Sequence, residues 1–442
     1  LSMDLTWHID KLHGLALDEL GLDLAIDNNG RFWLHEANIG PQTTYHEEER
    51  AVNTIGYALY LAKNKIFHTN EFEILNLPKD QFSIKTNDLD IAKLEHDITV
   101  GMLVGEEEIN ELTIACAYVA NYENVNFFYF TPKDIDFNEG LIRGHFYIDH
   151  KWVPKIVKYP DVIYDRLRLR GVKGFDFIYQ EFEGIPITNE FYGNSINKLE
   201  VYDRLKNTGV FDDIIIPYKK IERLKDIKNF IDNYNKIIIK PEVGSFANGV
   251  HLIEKLNTDK YKMALKEKVT FHNELELNRY VHNLIKKGEY IIQKYIESRT
   301  KENQPFDIRV HLVKDGKGKW SFAKIYPRIG FNYGTITITR KGGYVGNITG
   351  FLQRNFPDVE TNILINRIKD LSIKLIVQFE RLYEENLSEA GLDFAIDNKD
   401  ASPYLIEINV NKPGIIYYEF EVARYLIQYS KYLALQNKKS GY

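Results

Sequence analysis

Along most of the chain, short apolar runs alternate with longer stretches whose apolar positions recur every three or four residues, the pattern of a mixed α/β and α+β protein. The run DITVGMLVG predicts a strand over 97–105, followed by a helix to about 121 and a second strand at NFFYF. A hairpin is expected over 144–153, turning at Asp149-His150, and PDVIYDRL ends another short strand. This strand–helix–strand opening predicts a small α/β domain to about residue 190. Beyond it the pattern predicts a helix over 197–206 and a β-branched strand, KIIIK, over 236–240 that enters a glycine-containing loop. A helix over 273–287 and a strand over 289–297 follow. Segments 307–313 and 320–325 read as an antiparallel pair joined across 314–319, and 363–386 as a long helix. The polar residues 68–96, which include Pro78, read as a linker with marginal structure.

Two segments resemble each other closely. GLDLAIDNNGRFWLHEANIGP begins at Gly21, and GLDFAIDNKDASPYLIEINVNKP begins at Gly391. Each follows a charged amphipathic stretch and precedes a helical one, around 47–65 and 419–437. The copies lie too far apart for a solenoid and suit a whole multidomain module. With only about 20 residues before the first copy, the economical reading is the tail of one module followed by one complete module. The shared GLD-x-AID and E-x-N make chance similarity of two buried hairpins a poor explanation.

The second copy carries candidate chemistry. Asp393 lies on one strand, and Glu407 and Asn409 lie two residues apart on the next. Side chains alternate along a strand, so Glu407 and Asn409 share a face, and pairing through the 398–402 turn brings Asp393 alongside. Two carboxylates and an amide oxygen suit a hard divalent cation such as Mg²⁺. An edge hairpin with polar residues in water would explain Asp393 alone, but explains less well why LIEINV recurs as LHEANI. A nucleotide also needs cations and backbone donors. In IIIKPEVGSFANGV, Lys240 ends a strand and 244–249 can turn its N–H groups toward phosphate oxygens, although an ordinary hairpin turn reads the same way. No GxxxxGK[ST] motif is present, so this is not a P-loop protein. Arg309 and Arg328 lie on strands otherwise rich in apolar residues. A charge on an inward face needs a partner, either metal-bound phosphates or a structural ion pair.

Composition narrows the field. Apolar residues make up 44% and charged residues 27%, with 28 Gly and 13 Pro, which excludes collagen-like, low-complexity and wholly disordered chains. The net charge of −6 argues against a broad nucleic-acid surface while leaving room for a local basic groove, and no nucleic-acid partner is expected. The single cysteine, Cys116, excludes an internal disulfide and a Cys-rich zinc site and reads as core packing. No apolar run reaches the length of a membrane helix and no secretory signal is visible, so no membrane association and a cytoplasmic location are expected. The chain begins with Leu1 rather than Met, and its true start is expected upstream.

A Lys at a helix start (Lys198), a strand Lys before a Gly loop (Lys240), the strand YIIQKYIE, the DIRV strand and a terminal Asp…Glu-x-Asn together resemble the ATP-grasp superfamily. More narrowly, FFYFTPKDIDF, PDVIYDRL, KPEVGSFANGV, PFDIRVHLVKDGKGKW and GLDFAID…IEINVNKPG are similar to the YheC/YheD-type endospore coat-associated family. The resemblance implies an ATP-grasp fold. It has a C-terminal fragment of a preceding module (1–67), a linker (68–96) and a pre-ATP-grasp α/β domain (97–195). Two α+β lobes (196–293 and 294–442) then hold ATP between them. It also implies site roles. Lys198, Lys240 and the loop residues Gly244, Ser245 and Gly249 would meet phosphates; Gln293, Lys294 and Ile296 would meet adenine. Arg309 and Arg328 would bind phosphates or an acyl-phosphate, with Arg328 on the transferring group, and Asp393, Glu407 and Asn409 would bind Mg²⁺. The implied activity is that of a ligase: ATP activates an unidentified carboxylate for attack by an amine or thiol. A spore-coat location, with other spore-coat proteins as partners, is implied too; a non-catalytic coat-assembly protein is the main alternative, and a phosphotransferase that stops at phosphoryl transfer is a third class that the nucleotide site alone leaves open. The chain departs from the usual glycine-loop pattern at Ala247 and Asn248, carries Ile338 where relatives often have Asn, and has Gln293 where many relatives have an acid. Arg340 and Lys341, before two glycines, read either as a closure over an anionic substrate or as a surface loop.

Overall fold

The structure, a computed structural model, describes residues 20–26, 31–39, 55, 91–105, 110–172, 175–188, 197–243, 249–265, 268–330, 343–410, 413–414 and 418–440. The chain divides into two compact units, 1–89 and 90–442. In the first, β1 (Leu20–Ile26) pairs antiparallel with β2 (Phe32–Ile39). Gly21 sits opposite Asn38 and Asp23 opposite Glu36, and the register slips between Asp23 and Leu24.

Among its described residues the second unit has three sheets, each formed by consecutive strands. The first contains β3 (Thr99–Leu103), β4 (Asn126–Phe130), β5 (Ile135–Asp136), β6 (Leu141–Ile148), β7 (Lys151–Lys158) and β8 (Val162–Asp165), ordered β5-β6-β4-β3-β8 with β7 on β6. β3 runs parallel to both β4 and β8, and α1 (Glu111–Tyr122) makes the crossover that the β3–β4 pair requires. Asn110 caps α1, and its side chain accepts from the Leu112 N–H. Cys116 is buried among Leu112, Ala115, Val119 and Ala120, as core packing requires. The expected turn at Asp149-His150 joins β6 to β7 with both residues left-handed (φ 48° and 61°), the twist that suits a two-residue hairpin. A short helix, α2 (Asp176–Glu181), follows.

After α3 (Lys198–Lys206), the second sheet contains β9 (Tyr218–Lys220), β10 (Lys236–Pro241), β11 (His251–Asn257), β12 (Lys260–Leu265), β13 (Lys268–His272) and β14 (Tyr290–Lys294). It is antiparallel throughout, ordered β13-β12-β11-β10-β14-β9. One face packs Ile237, Ile239 and Ile253 against α4 (Leu224–Tyr234) and α5 (Glu274–Ile285) through Ile227, Ile231, Leu277 and Val281.

The third sheet contains β15 (Phe306–Lys314), β16 (Trp320–Ile329), β17 (Tyr344–Val345), β18 (Glu389–Ile396) and β19 (Pro403–Asn409), ordered β17-β16-β15-β18-β19. The helices α6 (Ile348–Asn355) and α7 (Thr361–Tyr383) lie between β17 and β18 in the chain, and α8 (Glu419–Ser440) ends it. Strand alternation sorts this sheet into two faces. Ile308, Val310 and Leu312 of β15, with Leu392, Phe394 and Ile396 of β18, share a core with Ile368, Leu375, Ile376 and Phe379 of α7. Val201, Tyr202 and Leu205 of α3 join the same core. The alternate positions, Asp307, Arg309 and His311 on β15 and Glu389, Gly391 and Asp393 on β18, line the other face. α8 ties the first sheet to the third, burying Val422, Ala423, Leu426 and Ile427 with Val313, Ala323, Val100, Met102 and α1.

Candidate functional site

The charged face of the third sheet is organised by register. β15 and β18 place Arg309 opposite Asp393, β15 and β16 place Asp307 opposite Arg328, and β18 and β19 place Asp393 opposite Glu407 and Gly391 opposite Asn409. The register of β18 and β19 slips between Asp393 and Phe394. This repeats the β1–β2 pairing residue for residue, including the position of the slip.

Asp393 is the hub. Arg309 donates Nε–H to Oδ1 and Nη2–H to Oδ2, the second at 3.0 Å. Arg328 approaches Oδ2 at 2.9 Å and also donates Nε–H to Asp307 Oδ1 at 2.6 Å. Asn409 donates Nδ2–H to Asp393 Oδ2 at 3.2 Å, which leaves its amide oxygen facing away from that bond. Burial opposes ionisation of Asp393, but the two guanidiniums and their hydrogen bonds win and hold its carboxyl below the usual range. Burial likewise works against the Arg328 charge, and Asp307 and Asp393 outweigh it. Gly391 makes room for this arrangement, because a Cβ there would stand 3.0 Å from Arg309 Nη1 and from Pro413 Cβ.

The two lysines reach this face from the other side of the site. Asn197 caps α3 by accepting from the N–H groups of Leu199 and Glu200, and so fixes Lys198 at the first turn. Lys198 Nζ lies 3.3 Å from Glu407 Oε1. Lys240 ends β10 on the face opposite Ile239 and is 6% exposed. Its Nζ donates to Tyr202 Oη at 2.9 Å, reaches the Ile406 carbonyl at 3.4 Å, and stands 5.1 Å from the Tyr202 ring centroid. No carboxylate pairs with it among the described residues. Burial pushes its ammonium down to about 8, with distant help to the charge from Glu407. The Tyr202 hydroxyl donates to the same Ile406 carbonyl, and burial pushes its pKa up.

Gln293 and Lys294 end β14, where Gln293 pairs with Ile238. Gln293 is buried beside the Tyr202 hydroxyl, but its amide nitrogen makes no hydrogen bond of sound geometry among the described residues. Ile296 packs in a small apolar cluster with Ile216 and Ala395, flanked by Tyr404 and Ile406. Gly249 is left-handed (φ 73°), and a Cβ there would stand 3.1 Å from the Pro241 ring. Gly244, Ser245, Ala247, Asn248, Ile338, Arg340 and Lys341 lie outside the described residues.

The predicted cations and oxygen donors are thus neighbours: Lys198 touches Glu407, Lys240 touches the carbonyl before it, and Arg309 and Arg328 share Asp393. Among the described residues, no three His, Cys, Asp or Glu side chains gather into a metal-holding group; the oxygen trio has two carboxylates and an amide. No described helix is long and apolar enough to cross a membrane. Sequence reading missed Tyr202 and Asp307. Tyr202 lies four residues after Lys198 on one helix face, and Asp307 two before Arg309 on one strand face, so both periodicities contained the signal.

The chain is 24% identical over 395 residues to the endospore coat-associated protein YheD of Bacillus subtilis (strain 168), covering 81% of this chain and 82% of that protein. It is 25% identical over 304 residues to YheC of the same organism, covering 66% and 81%. Among solved structures it is similar to an ADP-bound RiPP-associated ATP-grasp ligase of Chryseobacterium gregarium (11% identity, TM-score 0.44, covering 76% and 97%). A D-alanine–D-alanine ligase of Bacillus anthracis gives 15% identity and a TM-score of 0.45, covering 78% and 100%. The model of the YheC/D-like ATP-grasp family matches residues 1–61 and 184–433. That model spans well over half of the chain, so the chain belongs to the YheC/D-like ATP-grasp family.

Proposed function

We propose that the charged face binds Mg²⁺–ATP and that the protein is an ADP-forming ligase. The observation that carries this reading is Lys240: a buried cation with only a hydroxyl and a carbonyl as hydrogen-bond partners among the described residues. Such a group is costly unless an anion arrives. Lys198 reaches Glu407, the residue after the Ile406 carbonyl that Lys240 meets, and Glu407 pairs in register with Asp393, which Arg309 and Arg328 hold. Lys198, Lys240 and the 244–249 loop take the phosphates, and the buried Gln293 amide, Lys294 and the Ile296 cluster take the adenine. Asp393, Glu407 and the Asn409 amide oxygen fit a hard cation by donor chemistry and would hold Mg²⁺, which neutralises phosphate charge when bound.

In the reaction, a substrate carboxylate oxygen attacks the γ-phosphorus, the bond to the β-phosphate oxygen breaks, and ADP leaves. Arg328 and Arg309 stabilise charge on the transferring phosphoryl group. An amine then attacks the carbonyl carbon of the acyl-phosphate, phosphate departs, and the amine's proton ends on that phosphate. A thiol acceptor would follow the same course. A spore-coat location is supported by the names of the relatives, YheD and YheC. The β1–β2 hairpin we read as the end of a preceding ATP-grasp module, because its register and its slip match those of β18–β19.

Hydroxylamine, used as the acceptor with a panel of amino acids and peptides, tests turnover. The ligase reading predicts ADP and a hydroxamate in equal amounts with one class of carboxylate, both lost in Glu407→Gln. Nucleotide binding without ADP release across the panel would favour the non-catalytic coat protein instead.

A further inference from the structure

Further along the same face, away from Asp393, the most concentrated set of buried ionisable groups surrounds Glu389. This carboxylate is fully buried at the start of β18. It accepts from Arg168 Nη2 at 2.9 Å, stands 3.0 Å from His311 Nε2, and has Tyr164 Oη at 3.4 Å and Arg166 Nη1 at 3.6 Å. Burial opposes its charge, but His311 and the two arginines hold its pKa down to about 2.

Arg168 is the member that reaches furthest. It follows β8 of the first sheet and holds a left-handed backbone (φ 53°), unusual for a residue with a long side chain. Asp165 fixes that conformation: its Oδ1 accepts the Arg168 N–H at 2.9 Å, and its carbonyl accepts Nε–H at 3.2 Å. Tyr179 of α2 braces the other Asp165 oxygen at 3.1 Å. From this fixed base the guanidinium divides its hydrogen bonds. Nη2 goes to Glu389, and Nη1 donates to the Val410 carbonyl at 3.2 Å. Val410 directly follows Asn409.

We propose that Arg168 is a positioning residue: it clamps the end of β19, so that the first sheet sets where Glu407 and Asn409 stand. The proposal rests on the Mg²⁺–ATP reading above and extends it to a domain that supplies none of the assigned ligands. A planar guanidinium with its five donors can serve a carboxylate and a carbonyl at once, whereas a lysine ammonium at the same place keeps the charge for Glu389 and loses the second reach. Removing a group that orients a metal ligand costs about 10–100-fold in metal affinity.

The test is calorimetry of the full chain with ADP, titrated with and without Mg²⁺, alongside thermal melting. Arg168→Lys should weaken the apparent Mg²⁺ affinity about tenfold or more while ADP affinity without Mg²⁺ changes less than about threefold. Glu389→Gln leaves the Val410 contact in place, so it should lower the melting temperature yet keep Mg²⁺ affinity within about threefold. If Arg168→Lys does not fold, the double variant Arg168→Met/Glu389→Leu replaces the pair with apolar groups, a change that is often tolerated, and should show the same Mg²⁺ defect. Equal Mg²⁺ affinity in wild type and in the folded Arg168 variant overturns the clamp alone. Equal losses in Arg168→Lys and Glu389→Gln also overturn it, because a general structural role would then suffice. A folded wild type that binds no nucleotide overturns both the clamp and the reading beneath it.

Discussion

Lys240→Met is expected to lose nucleotide affinity by about 100-fold or more, from a protein that melts no lower than wild type at neutral pH. The two effects have one cause. In the free protein Lys240 holds a buried charge with a hydroxyl, a carbonyl and an aromatic ring around it, and burial pushes its ammonium down to about 8. Against an ordinary lysine near 10.4, that depression corresponds to a penalty on the order of 3 kcal/mol. The penalty is fully present below about pH 8, where the folded lysine is charged. It fades as pH rises toward the ordinary lysine value, because the folded amine is then neutral while the unfolded one still binds its proton. Methionine fills similar space without charge. The Tyr202 hydroxyl keeps its bond to the Ile406 carbonyl in that variant. Melting curves from pH 7 to 10 should therefore show the advantage of Lys240→Met shrinking as pH rises. An advantage constant across that range would place the lysine's cost elsewhere.

Asp393→Leu is expected to be the most damaging change to the fold at this face, costing about 3–5 kcal/mol, a large share of a typical domain's stability. The carboxylate accepts from Arg309 and Asn409 and pairs with Arg328 while buried. Removing it strands Arg309 and leaves Arg328 with Asp307 alone among these carboxylates. The guanidiniums hold the Asp393 carboxyl below its usual range, so the stability it supplies is present above about pH 4 and is lost as pH falls through the depressed value. Urea unfolding at neutral pH should show the full deficit, and the gap to wild type should narrow in strong acid. Asp393→Asn, which keeps the shape and part of the hydrogen bonding, should fall between the two.

Much of this arrangement is legible in the sequence, and the reasons differ by element. The alternation in PFDIRVHL places Asp307, Arg309 and His311 on one face and Ile308, Val310 and Leu312 on the other, and the structure keeps that division. The GLDFAID…IEINV pairing follows from strand period and a short turn, and its repeat at Gly21 is matched by an identical register. The pattern over 251–272 predicts no elements, where the structure has the meander β11–β12–β13. Lysines interrupt the alternation there, and β13 lies at a sheet edge with Val269 and Phe271 exposed, so the usual apolar–polar contrast is weak. The helix over Leu224–Tyr234 was readable, since Leu224, Ile227 and Ile231 recur at helical spacing, yet it went unassigned. The partners of each charge were not readable. Arg328 meets Asp307 and Asp393 through register across three strands, and Arg168 meets Glu389 across 221 positions of sequence, where local pattern carries no information.

In the proposed site, Lys240 and the arginine–carboxylate face together receive a Mg²⁺-bound polyphosphate. Calorimetric titration of the folded full chain with ADP and Mg²⁺ at pH 8, repeated in buffers of different ionisation enthalpy, tests it most directly. An arriving polyphosphate raises the lysine's pKa, so one nucleotide should bind per chain with net proton uptake, and Lys240→Met should abolish that uptake. Absence of binding, or binding with no proton uptake and no dependence on Lys240, would contradict it.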